Sequence, residues 1–113
     1  LADIISIHVP LNNETKYLFD KQTFQKMNNK PIIINSSRGG IINETDILEA
    51  YKNNYISGFA LDVYEHEPVN KIFLKNITND MNCILSPHIA GVTEESNTRV
   101  SEFIMNKTNE FFF

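Results

Sequence analysis

One cysteine is all this chain has. Cys83 stands alone among 113 residues, which excludes an internal disulfide and any metal site built from cysteines alone, and fits a reducing compartment. Long apolar runs are missing too. None approaches the roughly 20 residues needed to cross a bilayer, and nothing at the start has the layout of a secretion signal. Positive charge is in deficit: 10 Lys and Arg against 14 Asp and Glu give a net charge of −4 and a pI near 5.3. No basic footprint for nucleic acid or an anionic membrane follows from that balance. His8, His66 and His88 lie far apart with no HxxxH or CxxC spacing, so no dedicated metal site is expected. An initial Met is also lacking. The sequence opens with LADIISIHV as if inside a pattern, and it is expected to be part of something longer.

What is present is ordinary for one folded domain with a modest core: 42% hydrophobic and 21% charged residues,. The run DIISIHV at 3–9, rich in β-branched residues and closed by Pro10, predicts a buried strand,. A helix is predicted over Lys21–Met27, with Phe24 and Met27 on one face. PIIIN at 31–35 is apolar without alternation, as parallel strands covered on both faces tend to be,. Asn43 is a suitable N-cap, with Glu44 and Asp46 favourable in the first turn. That helix is expected to run to Asn53 and bury Ile47, Leu48 and Tyr51. ISGFALDV at 56–63 and CILS at 83–86 predict a third and fourth strand. Thr93 begins a last helix in which Val100, Phe103, Ile104 and Lys107 share a side. Strands alternating with helices imply an α/β fold with a parallel sheet.

In such sheets ligands bind beyond the carboxyl ends of the strands. Past the first predicted strand come His8 and Pro10, and past the second Ser36, Ser37 and Arg38. Asp62, Glu67 and Pro68 follow the third; Pro87, His88 and Gly91 follow the fourth. Arg38 can cap loop carbonyls as a surface residue, or its planar fork can hold a carboxylate in two-point contact. Gly39 and Gly40 behind it would let a ligand approach the backbone closely. His88 is either structural or a proton-exchanging group placed by Pro87. Glu67 can orient that ring, or EHEP is only a solvated acidic loop, as Glu65 is expected to be. Asp62 ends an apolar strand and needs a donor, from backbone or from a ligand amide. Neither Ser36 nor Ser37 has a nucleophile-elbow pattern. A carboxylate clamp, a His–Glu pair and an amide-accepting Asp suit reversible reduction of a 2-keto acid by a nicotinamide cofactor.

Four stretches, HVPLNNET (8–15), MNNKPIIINSSRGGIINE (27–44), GFALDVYEHEP (58–68) and SPHIAGVTEES (86–96), resemble the D-isomer-specific 2-hydroxyacid dehydrogenases in order and spacing. The resemblance covers nearly the whole chain. It implies a catalytic triad of Arg38, Glu67 and His88, with Arg38 and His88 touching substrate. It further implies that Ser36, Ser37, Arg38, Asp62 and the stretch His88, Ala90 and Gly91 line the nicotinamide end of an NAD site. His8, Val9 and Pro10 would lie beside the cofactor, with Thr15 close behind. The family's GxGxxG turn, its following helix and the acidic ribose selector have no counterpart here, so NADP stays open beside NAD. The implied fold is therefore a partial Rossmann-like parallel sheet with flanking helices, the second half of a dinucleotide-binding domain at 1–91. Residues 92–113 would be the helix leading back to a substrate domain outside this sequence.

The resemblance is strongest to the phosphoglycerate-type and related branches. It implies a small 2-hydroxy or 2-keto acid as ligand, neither nucleic acid nor membrane as partner, a homodimer for the full protein, and the cytoplasm. Two other classes fit the same residues: a nicotinamide-sensing, corepressor-like interaction protein, and an inert fragment. The sequence alone is expected to hold only the nicotinamide end of NAD. With the edge of DIISIHV unpaired and EFFF at 110–113 exposed, it is expected to associate.

Overall fold

A computed structural model describes residues 2–112; Leu1 and Phe113, the last residue of EFFF, lie outside the described residues. Four strands, β1 (Ile4–Ile7), β2 (Ile32–Asn35), β3 (Gly58–Leu61) and β4 (Cys83–Leu85), alternate with four helices. These are α1 (Lys21–Gln25), α2 (Glu44–Lys52), α3 (Lys71–Lys75) and α4 (Glu94–Phe112). The strands pair in parallel in the order β1-β2-β3-β4. This is the α/β, Rossmann-like arrangement expected.

Local chemistry sets the helix starts. Asp20 accepts from the Thr23 N–H at α1, and Asn43 accepts from the Asp46 N–H at α2. Asn70 does the same for Ile72 at α3. That third helix was not foreseen, because five residues with one buried side chain, Phe73, are too few to show a period. At α4, Thr93 Oγ1 accepts from the Ser96 N–H. The elements are one or two residues shorter than expected at several ends: α1 stops at Gln25 and β3 covers only Gly58–Leu61.

Strand order decides where the helices go. Each right-handed crossover to the next strand on the same side places its helix on the same face, so α1, α2 and α3 all cover one side of the sheet. Ile33 and Phe59 from the strands pack there with Phe24, Ile47 and Phe73 from the three helices. Each fully buried Ile or Phe of this kind contributes about 1.5–3 kcal/mol. The other side is open. Ile4 is 60% and Ile84 71% exposed there. PIIIN was expected to be covered on both faces; in the described residues it is covered on one. Tyr51, expected in the core, is only half-buried, and Ala50 takes the buried place instead. The helix α4 buries none of its residues, so Val100, Phe103 and Ile104 form an exposed stripe. The body with this helix measures 59 × 28 × 24 Å.

Behind β2 the chain turns sharply. Gly40 has φ of +77°, which side chains rarely tolerate,. Gly39 lies against the chain that leaves β3: a Cβ there would sit 1.7 Å from the Tyr64 carbonyl oxygen. The glycines were expected to admit a ligand. At Gly39 the close approach is instead made by another stretch of backbone. Gly39→Ala should therefore cost at least ~3 kcal/mol, since backbone on backbone cannot yield as a side chain can. Gly91→Ala, with nothing within 4 Å of its Cβ, should stay within about 0.5 kcal/mol. Urea unfolding of the two variants checks the contrast.

Candidate active site

All four strands end on one rung of the sheet. Ile7 pairs with Asn35, Asn35 with Leu61, and Leu61 with Leu85. The next residues, His8, Ser36, Asp62 and Ser86, thus leave the sheet side by side, about 4.8 Å apart from strand to strand. The sequence placed its candidates past the strand ends, and the common rung brings them to one edge.

Asn35, at that rung, is 2% exposed. Its Oδ1 accepts from the Ser37 N–H at 3.1 Å and the Ser37 hydroxyl at 2.8 Å, and its Nδ2 donates to the Arg38 carbonyl at 3.0 Å. A buried amide with all these bonds satisfied fixes the loop that carries Arg38. Sequence reading missed Asn35. The signal was a polar residue ending an isoleucine run, the same sign that singled out Asp62. Arg38 itself is exposed. One guanidinium N–H caps the Ser37 carbonyl at 2.6 Å. Arginine has five such donors, so most of the fork faces outward. Both roles considered for Arg38 are compatible with this position.

Asp62 is 6% exposed and its donors come from the chain. Oδ1 accepts from the Ser86 hydroxyl at 2.6 Å and the Ile89 N–H at 2.9 Å; Oδ2 accepts from the Ala90 N–H at 2.9 Å. Burial alone would raise its pKa. The Ser86 hydroxyl and the Ala90 and Ile89 amides, with His88 nearby, outweigh burial and hold the carboxyl below the usual aspartate range,. Asp62 therefore needs no ligand to be stable, though Oδ2 keeps lone-pair capacity. The loop it grips contains His88, whose φ of +59° is uncommon for a side chain,.

His88 Nδ1 lies 2.6 Å from Glu67 Oε2. That bond, with help from the Tyr64 N–H on Oε1 at 3.2 Å, holds the Glu67 carboxyl below the usual glutamate range. An ionised carboxylate can only accept, so Nδ1 is the donor and Nε2 is the ring atom left for chemistry. The two side chains are 46% and 37% exposed, open to a small molecule. His8 turns differently: its Nε2 pairs with the Ser6 hydroxyl at 2.7 Å. Val9 and Pro10 are exposed beside it. Thr15 braces that loop, donating to the Pro10 carbonyl at 2.6 Å. Ser36, Ala90 and Gly91 are exposed, and Ser37 is half-buried.

Glu65 is not the solvated residue expected. Its Oε1 accepts from the Glu44 N–H at 2.7 Å, its own N–H donates to Glu44 Oε1 at 2.7 Å, and Tyr17 donates to Oε2 at 3.0 Å. This reciprocal latch ties the start of α2 to the loop carrying Glu67. The Glu65 contact raises the Tyr17 pKa. Burial raises that of Glu44, against the Glu65 amide and together with the Glu65 charge.

The Asp62 clamp should show in a pH series. Because its folded pKa is depressed, its contribution is complete above the ordinary aspartate value and is lost as pH falls through the lower, folded one. Asp62→Asn should cost about 2 kcal/mol near neutral pH, since an amide nitrogen would face one of the loop N–H donors. The difference from wild type should shrink below about pH 4. Urea unfolding of both proteins across that range measures it; a gap independent of pH would place the carboxylate charge outside the clamp.

Known proteins resemble this chain in sequence and in fold. The model for "D-isomer specific 2-hydroxyacid dehydrogenase, NAD binding domain" matches residues 1–90. The (S)-sulfolactate dehydrogenase of Chromohalobacter salexigens is 38% identical over 100 residues, covering 88% of this chain and 32% of that protein. The D-3-phosphoglycerate dehydrogenase of Bacillus subtilis is 38% identical over 112 residues, covering 97% of this chain and 20% of that one. Among solved structures, D-lactate dehydrogenase from Aquifex aeolicus, complexed with NAD and lactic acid, superposes with a TM-score of 0.84 at 27% identity. It spans 97% of this chain and 37% of that one. Apo D-mandelate dehydrogenase of Rhodotorula graminis gives 0.85 at 28% identity, spanning 97% of this chain and 31% of that one. The chain thus spans a third or less of the curated relatives it matches. It belongs to the D-isomer-specific 2-hydroxyacid dehydrogenases, within their NAD-binding domain.

Proposed function

We propose that this chain carries the proton-transfer and carboxylate-binding groups of an NAD-dependent oxidoreductase that interconverts a D-2-hydroxy acid and its 2-keto acid. The observation that carries the proposal is the His88–Glu67 pair at 2.6 Å, held at the sheet edge from which Arg38 also projects. The residues fit the nicotinamide end of the cofactor: Asp62 Oδ2 has capacity for an amide donor, and His8, Val9, Pro10 and the loop through Ala90 and Gly91 border it. Bound there, NADH would supply the hydride. A keto-acid carboxylate pairs with the outward part of the Arg38 fork. His88 gives its Nε2 proton to the keto oxygen as charge develops on it. Glu67 keeps the ring oriented through Nδ1 and balances the positive charge of its protonated form. In the reverse direction neutral His88 removes the hydroxyl proton.

The substrate is a small 2-hydroxy or 2-keto acid, 3-phosphoglycerate among the candidates. The same reading makes the full protein a cytoplasmic homodimer and α4 the connection to its substrate domain. Family membership supports it, and among the described residues no helix is long and apolar enough to cross a membrane.

NADH oxidation by the full-length protein, assayed against glyoxylate, pyruvate and a 3-phosphorylated keto acid, tests the activity directly. No turnover on any of them would reject it. Arg38→Lys keeps the charge but loses the fork, so kcat/KM should fall roughly 10-fold, mostly through KM; Arg38→Ala should lose about 100-fold. Glu67→Gln should act on the other side of the split, lowering kcat about 10-fold or more with KM for the keto acid little changed. Steady-state kinetics separates the two patterns, and a Glu67→Gln effect confined to KM would count against the pair.

A further inference from the structure

We propose that Tyr64 is a positioning residue for His88, acting through its buried phenol hydroxyl; this rests on the dehydrogenase reading above. Tyr64 is 6% exposed, and its ring packs edge-on to Phe73 at 6.2 Å between centroids. A phenylalanine would pack there equally well. Burying a hydroxyl is costly unless it is bonded, so the choice of tyrosine is explained by what the oxygen touches. It donates to the Ser86 carbonyl at 2.9 Å, with the Leu61 carbonyl next at 3.2 Å. Burial raises its pKa, which keeps it a donor.

Ser86 is the last fixed point before His88. Its N–H donates to the Leu61 carbonyl at 3.0 Å and its hydroxyl to Asp62 at 2.6 Å. Only Pro87 separates it from the histidine, and the proline ring removes one of the two soft torsions between them. His88 sits in a left-handed conformation that persists only if the chain is held on both sides. Asp62 holds the far side through the Ile89 and Ala90 amides. On the near side Tyr64 and Asp62 together hold Ser86. Tyr64 reaches the other members of the site through its backbone: its N–H donates to Glu67 Oε1 at 3.2 Å, and its carbonyl lies against Gly39 beside Arg38. One residue thus references the histidine, its carboxylate partner and the anion clamp to a single core position. Only the link to His88 depends on the side chain.

The test is Tyr64→Phe in the full-length protein, compared with Ile47→Val, which loosens the same core without touching the hydroxyl. Two readouts are used: steady-state keto-acid reduction, and the ring ¹⁵N and hydrogen-bonded Nδ1–H resonances of His88, assigned with Glu67→Gln. Tyr64→Phe should lower kcat about tenfold, the scale of one net hydrogen bond. It should leave KM for the keto acid unchanged, because Arg38 hangs from the Asn35 loop, and it should weaken the Nδ1–H resonance. Ile47→Val should change none of these. An unaltered His88 resonance and kcat in Tyr64→Phe, or equal losses in Ile47→Val, would overturn the proposal while leaving the dehydrogenase reading intact. Absence of turnover in the wild type would instead reject that reading. The resonances alone would then decide whether Tyr64 sets the His88–Glu67 contact.

Discussion

The shared last rung of the sheet is the constraint on which everything else rests. Parallel strands that end together release their chains side by side with backbone donors and acceptors no longer paired in a ladder. Those groups lie at the margin of the core, where an unpaired one is expensive. The chain meets the problem with buried polar side chains. Asn35 serves the loop after β2, and Asp62 serves the loop after β4 from its place at the end of β3. The bonds that satisfy the margin also fix where Arg38 and His88 emerge. Stability and site geometry are here one set of interactions.

A division of labour follows. The groups that hold are buried: Asn35, Asp62 and Tyr64 are each below a tenth exposed. The groups that would react, Arg38, Glu67 and His88, are all exposed. Low dielectric strengthens a fully satisfied hydrogen-bond network. Exposure leaves a reagent free to meet a ligand, at the cost of weaker local forces. His88 resolves that tension by taking one tight contact, Nδ1 to Glu67, and standing on a loop whose two ends are both gripped from below. Placement of this kind lowers the reorganisation needed at the moment of reaction.

Much of this was legible in the sequence, and the limits have physical causes. Isoleucine runs marked the strands, and helix caps such as Asn43 marked α2, because both signals are local. Arg38, Glu67 and His88 stood out because ionisable residues cluster past strand ends. Asn35, Tyr64 and Glu65 did not stand out. Asn35 passes as the end of an isoleucine run, although its partners are the nearby Ser37 and Arg38. The roles of Tyr64 and Glu65 are set by Ser86 and Glu44, more than twenty residues away, and nothing in DVYEHEP distinguishes a phenol that bonds Ser86 from one that merely packs. Glu65 looked like its exposed neighbour His66 until the Glu44 amide was found beside it. The glycine pair misled for a related reason. Close approach was inferred correctly at Gly39, but only the fold shows that the approaching group is the Tyr64 carbonyl.

The one-sided burial of the sheet bears on how self-sufficient the site is. With all three crossovers on one face, the opposite face keeps Ile4 and Ile84 exposed and α4 keeps its stripe of Val100, Phe103 and Ile104 uncovered. The site's supports do not draw on either surface. Phe24, Ile33, Ile47, Phe59 and Phe73, which hold the strands in register, belong to the covered core. The side chains of Asn35, Asp62 and Tyr64 find every hydrogen-bond partner within residues 35–90. The geometry of the sheet edge that carries Arg38 and His88 is therefore encoded in this chain's own core. Affinity for a whole dinucleotide is a separate matter, because the phosphates need a glycine turn at a helix start. Of the four glycines here, Gly39 is occupied by backbone, Gly40 by a turn, Gly58 lies against Asn82, and Gly91, open and ahead of α4, stands alone rather than in a glycine-rich turn. The residues that fix the placement of Arg38 and His88 are thus separable along the sequence from any glycine turn that would hold phosphates.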